Sequence, residues 1–343
     1  MIMKYLLAIL LFSVVVLFHE LGHFLFAKKA GVKVNEFSLG LGPTLWGKKI
    51  GETIYSIKLL PFGGACEMEG ENADSTEEGS FYTKSVWQRF SIVFGGPLFN
   101  FIMALVFSFF LVVFSGVDKP VVTSLMDGYP AAEAGMEVGD EIIKMNGEPI
   151  RIYQDLQAYK VFHPGEINFT VKRNKTIKNI TITPKKDPKT GELMYGVTHE
   201  FTPAKLNPIN VVGYSIWNTR YWIKTTLESL RMLVQRKIGV KELSGPVGIV
   251  KAVGDTVDKA APNGIGFVLL SLMNFAILLS ANLGVVNLLP IPALDGGRIA
   301  LLLVEAVRKK KLNAKIEYAI NVCGLVFLLV LMCFVMINDV IKL

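Results

Sequence analysis

Five consecutive residues, His19-Glu20-Leu21-Gly22-His23, hold the densest chemistry in this 343-residue chain. In a helix, positions i and i+4 share one face, a turn apart. Two imidazoles so placed can reach one Zn²⁺ at about 2.0–2.1 Å each. Glu20 lies off that spot and is suited to take a proton from water held at the metal. The His-Glu-x-x-His spacing is moderately specific by itself; its surroundings sharpen it. The motif closes an apolar stretch, residues 3–26, and a charge at a bilayer centre costs about 2.5–3.5 kcal/mol. Three ionisable groups within five residues there need a partner, and a metal supplies one. The plainer alternative is that the three side chains satisfy one another at a membrane interface.

A catalytic zinc takes three protein ligands and keeps one position open. The candidate third ligand is Asp295, in Asn287-Leu288-Leu289-Pro290-Ile291-Pro292-Ala293-Leu294-Asp295-Gly296-Gly297. Pro290 and Pro292 break a helix before it, and Gly296-Gly297 frees the backbone after it. The same aspartate would serve as N-cap of a helix over 298–308, and pattern alone leaves both roles open. His163 and His199 belong to a polar segment far along the chain and are read as non-ligands. Cys66, Cys323 and Cys333 make no disulfide framework, and Cys66 is read as a free thiol without function.

The elements that must position these residues are mostly apolar helices. Apolar residues make up 51% of the chain and collect in four blocks, 3–26, 91–117, 266–289 and 319–337. Each is long enough to cross a hydrocarbon core of about 30 Å, which takes about 20 helical residues. The first block resembles a signal peptide, but no small-x-small cleavage site follows it, so it reads as a retained span. Net charge is +7, yet no stacking aromatics alternate with the basic residues, so nucleic acid is not an expected partner. Lys28, Lys29, Lys33, Lys48, Lys49, Lys58, Lys84 and Arg89 lie between blocks one and two; Arg298, Arg308, Lys309, Lys310, Lys311 and Lys315 lie between blocks three and four. The positive-inside rule puts both loops in the cytoplasm and both termini outside. The segment from about 118 to 265 is then extracytoplasmic. His19, His23 and Asp295 end up at one depth, near the cytoplasmic side.

The first basic loop predicts strands over 34–41 and 53–60, a hairpin sheet against the membrane closed by Pro61-Phe62-Gly63-Gly64, and a solvated acidic loop over 67–78. The extracytoplasmic part predicts a compact α+β module: a strand at 121–125, a short helix from 130, a turn, strand and Asn-Gly turn over 138–147, a helix over 154–160 and a hairpin, 166–173 with 176–183, around Asn174-Lys175. Residues 208–236, with Tyr214, Trp217, Tyr221 and Trp222 among charges, suit either an amphipathic surface helix or an ordinary packed one. The division of the chain reads as 1–117, 118–203, 204–265 and 266–343.

Several motifs in order resemble the site-2 protease family of intramembrane metalloproteases (M50 type), in particular bacterial members with a PDZ domain. They are Phe18-His19-Glu20-Leu21-Gly22-His23-Phe24, Phe37-Ser38-Leu39-Gly40-Leu41-Gly42-Pro43, Leu60-Pro61-Phe62-Gly63-Gly64, Gly95-Gly96-Pro97-Leu98-Phe99-Asn100-Phe101, the PDZ-like 130–147, Leu243-Ser244-Gly245-Pro246-Val247-Gly248-Ile249, and 287–297 with its Leu-Asp-Gly signature. The resemblance covers nearly the whole chain. It implies an α-helical membrane protein of about four transmembrane helices, with a cytoplasmic-side β-hairpin sheet and one inserted extracytoplasmic PDZ domain at 118–203. Residues 204–265 would then be an extracytoplasmic linker. It implies zinc on His19, His23 and Asp295, Glu20 as catalytic base, a first-loop sheet that lines the substrate path, and Asn287 on the substrate backbone; Pro290, Pro292, Ile57, Gly40, Gly42 and Asn100 are the further candidate substrate contacts. The partners implied are membrane lipid, a transmembrane protein or peptide as substrate (a membrane-bound anti-sigma factor or a remnant signal peptide), and an upstream site-1 protease. The location implied is the cell (plasma or inner) membrane. A zinc carrier is the first rival class, but helices two and four offer no His, Asp or Glu well within them. A catalytically degenerate PDZ scaffold is the second, but none of the four key residues is altered.

Overall fold

The computed structural model describes residues 2–71, 77–188, 190–201, 204, 206–239, 242 and 244–342. Residues 72–76 of the expected acidic loop, Leu243 of its motif and residue 203, the expected end of the α+β module, lie outside the described residues. The elements in chain order are α1 (Ile2–Lys29), β1 (Val34–Ile50), β2 (Thr53–Met68), α2 (Val86–Ser115), β3 (Ser124–Leu125), α3 (Pro130–Glu133), β4 (Glu141–Met145) and β5 (Glu148–Pro149). They continue as α4 (Tyr153–Phe162), β6 (Ile167–Arg173), β7 (Thr176–Ile182), β8 (Lys185–Lys186), β9 (Leu193–Met194), β10 (Val197–Thr198) and α5 (Pro208–Val234). The chain closes with α6 (Pro246–Ala260), α7 (Ile265–Asn287), α8 (Asp295–Arg308) and α9 (Ala314–Ile341). Four stretches, Tyr5–Lys29, Val86–Ser115, Ile265–Asn287 and Ile316–Ile341, are long and apolar enough to cross a membrane. Two compact units emerge, one of Met1–Phe107 with Ser229–Leu343, the other Ser108–Glu228.

In the first unit, small residues bring α1 and α2 together. A Cβ on Gly22 would stand 2.1 Å from the Gly95 carbonyl oxygen, so the two backbones touch where their glycines meet. Below that crossing Ala27, Val32, Val34, Ile92 and Leu302 are buried in one cluster. Above it Val15, Met103 and Leu279 form another.

The hairpin of β1 and β2 is longer than predicted, and its pairing is more involved. Phe37, Ser38 and Leu39 pair with Tyr55, Ser56 and Ile57 on one side and with Cys66, Ala65 and Gly64 on the other. Tyr55, Ser56 and Ile57 pair in turn with Lys48, Gly47 and Trp46. The segments therefore lie in the order 46–50, 53–58, 36–39, 64–68. Gly63 does not end the second strand as expected. Its φ of +85° bends the chain, and β2 continues to Met68. Ile57, one of the expected substrate contacts, is on no open edge: it is paired on both sides, with Leu39 and Trp46, because β1 turns at Gly40 and Gly42, φ +90° and +91°. Among the described residues, the second unpaired edge of this sheet, besides 46–50, is 64–68.

The second unit holds a four-stranded sheet in the order β5-β4-β6-β7. Its core includes Val122, Ile142, Met145, Leu156, Ile167, Phe169 and Val171. Asn174 and Lys175, both at positive φ, make the two-residue turn that suits the right-handed twist of β6 and β7. Arg173 grips the buried Asp140 through two bonds of 2.6 Å. Burial raises the Asp140 carboxyl, but Arg173 and the Glu137 N–H hold it below the usual carboxylate range. Helix α5 buries Val211, Ser215, Asn218 and Thr219, one face at helical spacing, so it is a packed helix here. Ser108 donates to the Ser215 carbonyl at 3.0 Å, and Asn218 donates to Ser108 at 2.9 Å.

Candidate metal centre

Helix α1 presents His19 and His23 one turn apart, their rings edge to face with centroids 4.8 Å apart. Their Nε2 atoms stand 3.2 Å from each other. Asp295 Oδ2 comes within 3.2 Å of the first and 3.5 Å of the second. Ligand atoms on a tetrahedron with bonds of about 2.0–2.1 Å are about 3.3–3.4 Å apart, so the three atoms form one face of such a tetrahedron. Asp295 Oδ2 is buried and accepts no hydrogen bond, which is costly unless something else neutralises it. The donor set, two imidazoles and one carboxylate, is that of a catalytic zinc site with a free fourth position. The residues therefore fit the ion.

Asp295 does not cap the helix that follows. The N-cap is Leu294, without a side-chain cap, and α8 starts at Asp295 itself. The carboxylate is thereby left free to face the imidazoles. Gly296 and Gly297 are needed for this tight entry, since a Cβ would meet the Leu289 carbonyl oxygen at 2.2 Å and that of Ile291 at 2.3 Å. Two ion pairs hold α8, Arg298 with Glu71 in its first turn and Arg89 with Glu305 near its end. The second pair is buried on both sides.

The imidazoles are cradled by α2. A Cβ on Gly96 would lie 2.3 Å from His23 Nε2 and 2.7 Å from His19 Cε1. His23 Nδ1 is 2.9 Å from the Ile92 carbonyl; since that oxygen only accepts, Nδ1 carries the proton and Nε2 is free to ligate. Asn100 lies 3.0 Å from His19 Nδ1 and is wholly buried. It was expected to contact substrate; instead its side chain is spent on a histidine. The signal for Gly96 was in plain view, a glycine pair inside a span rich in Phe and Val, but the reason for it lay on another helix.

A cavity of about 540 Å³ opens beside these atoms, lined by Glu20, Cys66, Met68, Val93, Asn287 and Arg298 among others. Asn287 Nδ2 reaches to 3.4 Å from His19 Nε2. The edge segment of β2 runs along the same wall: a Cβ on Gly64 would stand 3.2 Å from Glu20 Cγ. Burial, with Glu20 adding to it, pushes the Cys66 thiol well up, so it stays protonated at neutral pH. Ile57, Gly40, Gly42, Pro290 and Pro292 are not in the cavity wall. The two glycines shape the bend of β1, and Pro292 packs against Gly324 of α9. His199 pairs with Asp118 at 2.6 Å in the second unit, and His163 stacks on Tyr159, so neither joins the metal centre.

Two imidazoles and a glutamate on an apolar helix of membrane-spanning length, with a carboxylate from α8 at the same cavity, define a membrane-embedded metallopeptidase. The chain belongs to peptidase family M50, which it matches over residues 7–331. A Clostridium acetobutylicum protein, provisionally named a zinc metalloprotease, is 39% identical over 335 residues, 97% of this chain and 96% of its own. The regulator of sigma-W protease RasP of Bacillus subtilis is 32% identical over 416 residues, covering 97% of each chain. The zinc metalloprotease RasP of Bacillus licheniformis is 31% identical over 416 residues with the same coverage. The protein is thus a zinc metalloprotease of the site-2 type and a multi-pass membrane protein.

Proposed function

We propose that His19, His23 and Asp295 hold the zinc, and that Glu20 is the general base of peptide-bond hydrolysis in the membrane segments of other proteins. The observation that carries this reading is the set of three ligand atoms at 3.2 to 3.5 Å from one another, with Glu20 lining the cavity beside them. Bound zinc supplies a Lewis acid that polarises the scissile carbonyl and makes nearby water more acidic. Glu20 takes the proton from the attacking water and passes it to the leaving amine. Asn287, beside the metal position, donates an amide hydrogen bond to the substrate backbone.

A transmembrane helix hides its carbonyls in i→i−4 bonds, so the substrate must unwind to be cut. The 64–68 edge, unpaired on its cavity side among the described residues, can take the unwound segment as an added strand. Cleavage should therefore rise as Gly, Pro or Asn residues weaken the substrate's helix. A purified series of substrates graded this way tests it; rates that ignore the grading would remove strand addition. Ile57→Pro is unsuited to the purpose, since it would break two ladders at once; Ala65→Pro interrupts the edge and should slow cleavage.

The second unit is proposed as a single PDZ domain at 118–203 that inspects or excludes ectodomains outside the cell, with both termini also outside. The basic residues of the loops around 28–89 and 298–315 support this sidedness. Cysteines at Lys185 and Lys309, in a chain lacking Cys66, Cys323 and Cys333, should react with an impermeant thiol reagent from outside and from inside respectively. The opposite pattern would overturn the topology. Likeness to the regulator of sigma-W protease supports a membrane-bound regulator of a sigma factor as substrate, shortened first by another protease; a remnant signal peptide is the other candidate.

A further inference from the structure

We propose that Asn100 is a positioning residue of the metal centre: its amide oxygen accepts the Nδ1 proton of His19, so that Nε2 is free to hold the metal. The inference rests on the ligand reading above and adds a residue from a different helix. His23 shows what a ligating imidazole needs here. Its Nδ1 faces the Ile92 carbonyl at 2.9 Å, an acceptor, which forces the proton onto Nδ1. Among the described residues His19 has no carbonyl in that role. What faces its Nδ1, at 3.0 Å, is the Asn100 side chain.

The orientation of that amide decides the chemistry. With Nδ2 toward the ring, at 3.0 Å, Nδ1 must be bare and the ring proton must sit on Nε2. That proton would point among His23 Nε2 and Asp295 Oδ2, both within 3.2 Å of it in heavy-atom distance, and would block ligation. The same orientation leaves Asn100 Oδ1 buried with no hydrogen bond. Oxygen and nitrogen of an amide are nearly alike in shape and are assigned from their neighbours. The reversed amide brings Oδ1 onto the Nδ1 proton and gives the buried oxygen a partner.

The residue is also well held. Asn100 is fully buried, and its main-chain carbonyl accepts a 2.8 Å bond from Ser280 of α7. Ser280 lies two turns before Asn287 on the same helix. One bond thus ties the backbone that carries Asn100 to the helix that leads to Asn287 and Asp295.

The experiment measures zinc affinity of the purified full-length protein by competition with a chelator, alongside thermal unfolding of the metal-free form. Asn100→Leu should bind zinc about 10- to 100-fold more weakly, with little change in metal-free unfolding. Asn100→Asp, which can accept but not donate, should keep affinity at or above that of the unmodified chain. If Asn100→Asp loses as much as Asn100→Leu, the amide donates and the proposal is wrong. Unchanged affinity in Asn100→Leu also overturns it. Should the leucine variant fail to fold, the aspartate variant decides alone. Asp295→Ala in the same assay separates the two claims. Zinc bound by the unmodified chain, lost in Asp295→Ala and indifferent to Asn100 would sink this inference and leave the ligand set standing; zinc indifferent to Asp295 would sink both.

Discussion

Glu20→Gln should leave one zinc per chain and lower cleavage of a membrane substrate by about 10²–10⁴-fold. Glutamine keeps the length and shape of the side chain but cannot accept a proton. Glu20 is not among the three ligand atoms that converge, so zinc content should not follow activity. Substrate binding should also persist, since the proposed contacts, Asn287 and the 64–68 edge, are untouched. Zinc analysis, a pull-down of uncut substrate and a cleavage assay on one preparation separate the possibilities. Cleavage at more than a tenth of the normal rate would take Glu20 out of the reaction, and loss of zinc would make it a ligand instead.

Asp295→Ala should lose both zinc and activity. Two imidazoles one turn apart remain, but the third corner and its negative charge are gone. Metal analysis after dialysis against a chelator should show close to one zinc per chain in the unmodified protein and close to none in the variant. His23→Ala should behave alike. A thermal shift provides a second measure, because a ligand that binds only the folded state stabilises it by about 2.7 kcal/mol at a hundredfold excess over Kd. Added zinc should raise the melting temperature of the unmodified chain and leave that of Asp295→Ala unmoved. The substitution does little else to the fold: Asp295 makes no cap, and its effect as an acid in the first turn of α8 is about 0.3–1 kcal/mol. A variant that keeps its zinc would return Asp295 to an ordinary helix residue.

Helical spacing made His19 and His23 a pair before any fold was known, because i and i+4 share a face in every α-helix. The long apolar blocks likewise specify their own helices, since backbone groups in lipid must bond within the segment. The ends of these helices shift by a few residues, and among the described residues four helices are long and apolar enough to span. Asp295 was visible but ambiguous, because both ligation and N-capping suit an aspartate before a helix. What surrounds the side chain of Asp295 depends on Leu294 taking the cap position and on two imidazoles 272 or more residues away in sequence.

Other features had no local signature. The pairing of Leu39 with both Ile57 and Gly64 depends on where the bends at Gly40 and Gly63 direct the chain, and strand alternation cannot show which edge stays open. A motif asparagine such as Asn100 looks the same whether it meets substrate or a histidine. Its role depends on α1 and α2 crossing at Gly22 and Gly95, close enough for Gly96 to lie against both imidazoles. Local chemistry is written in residue type and spacing. The company each side chain keeps depends on helix contacts between residues far apart in the chain, and those form only when the whole first unit is packed.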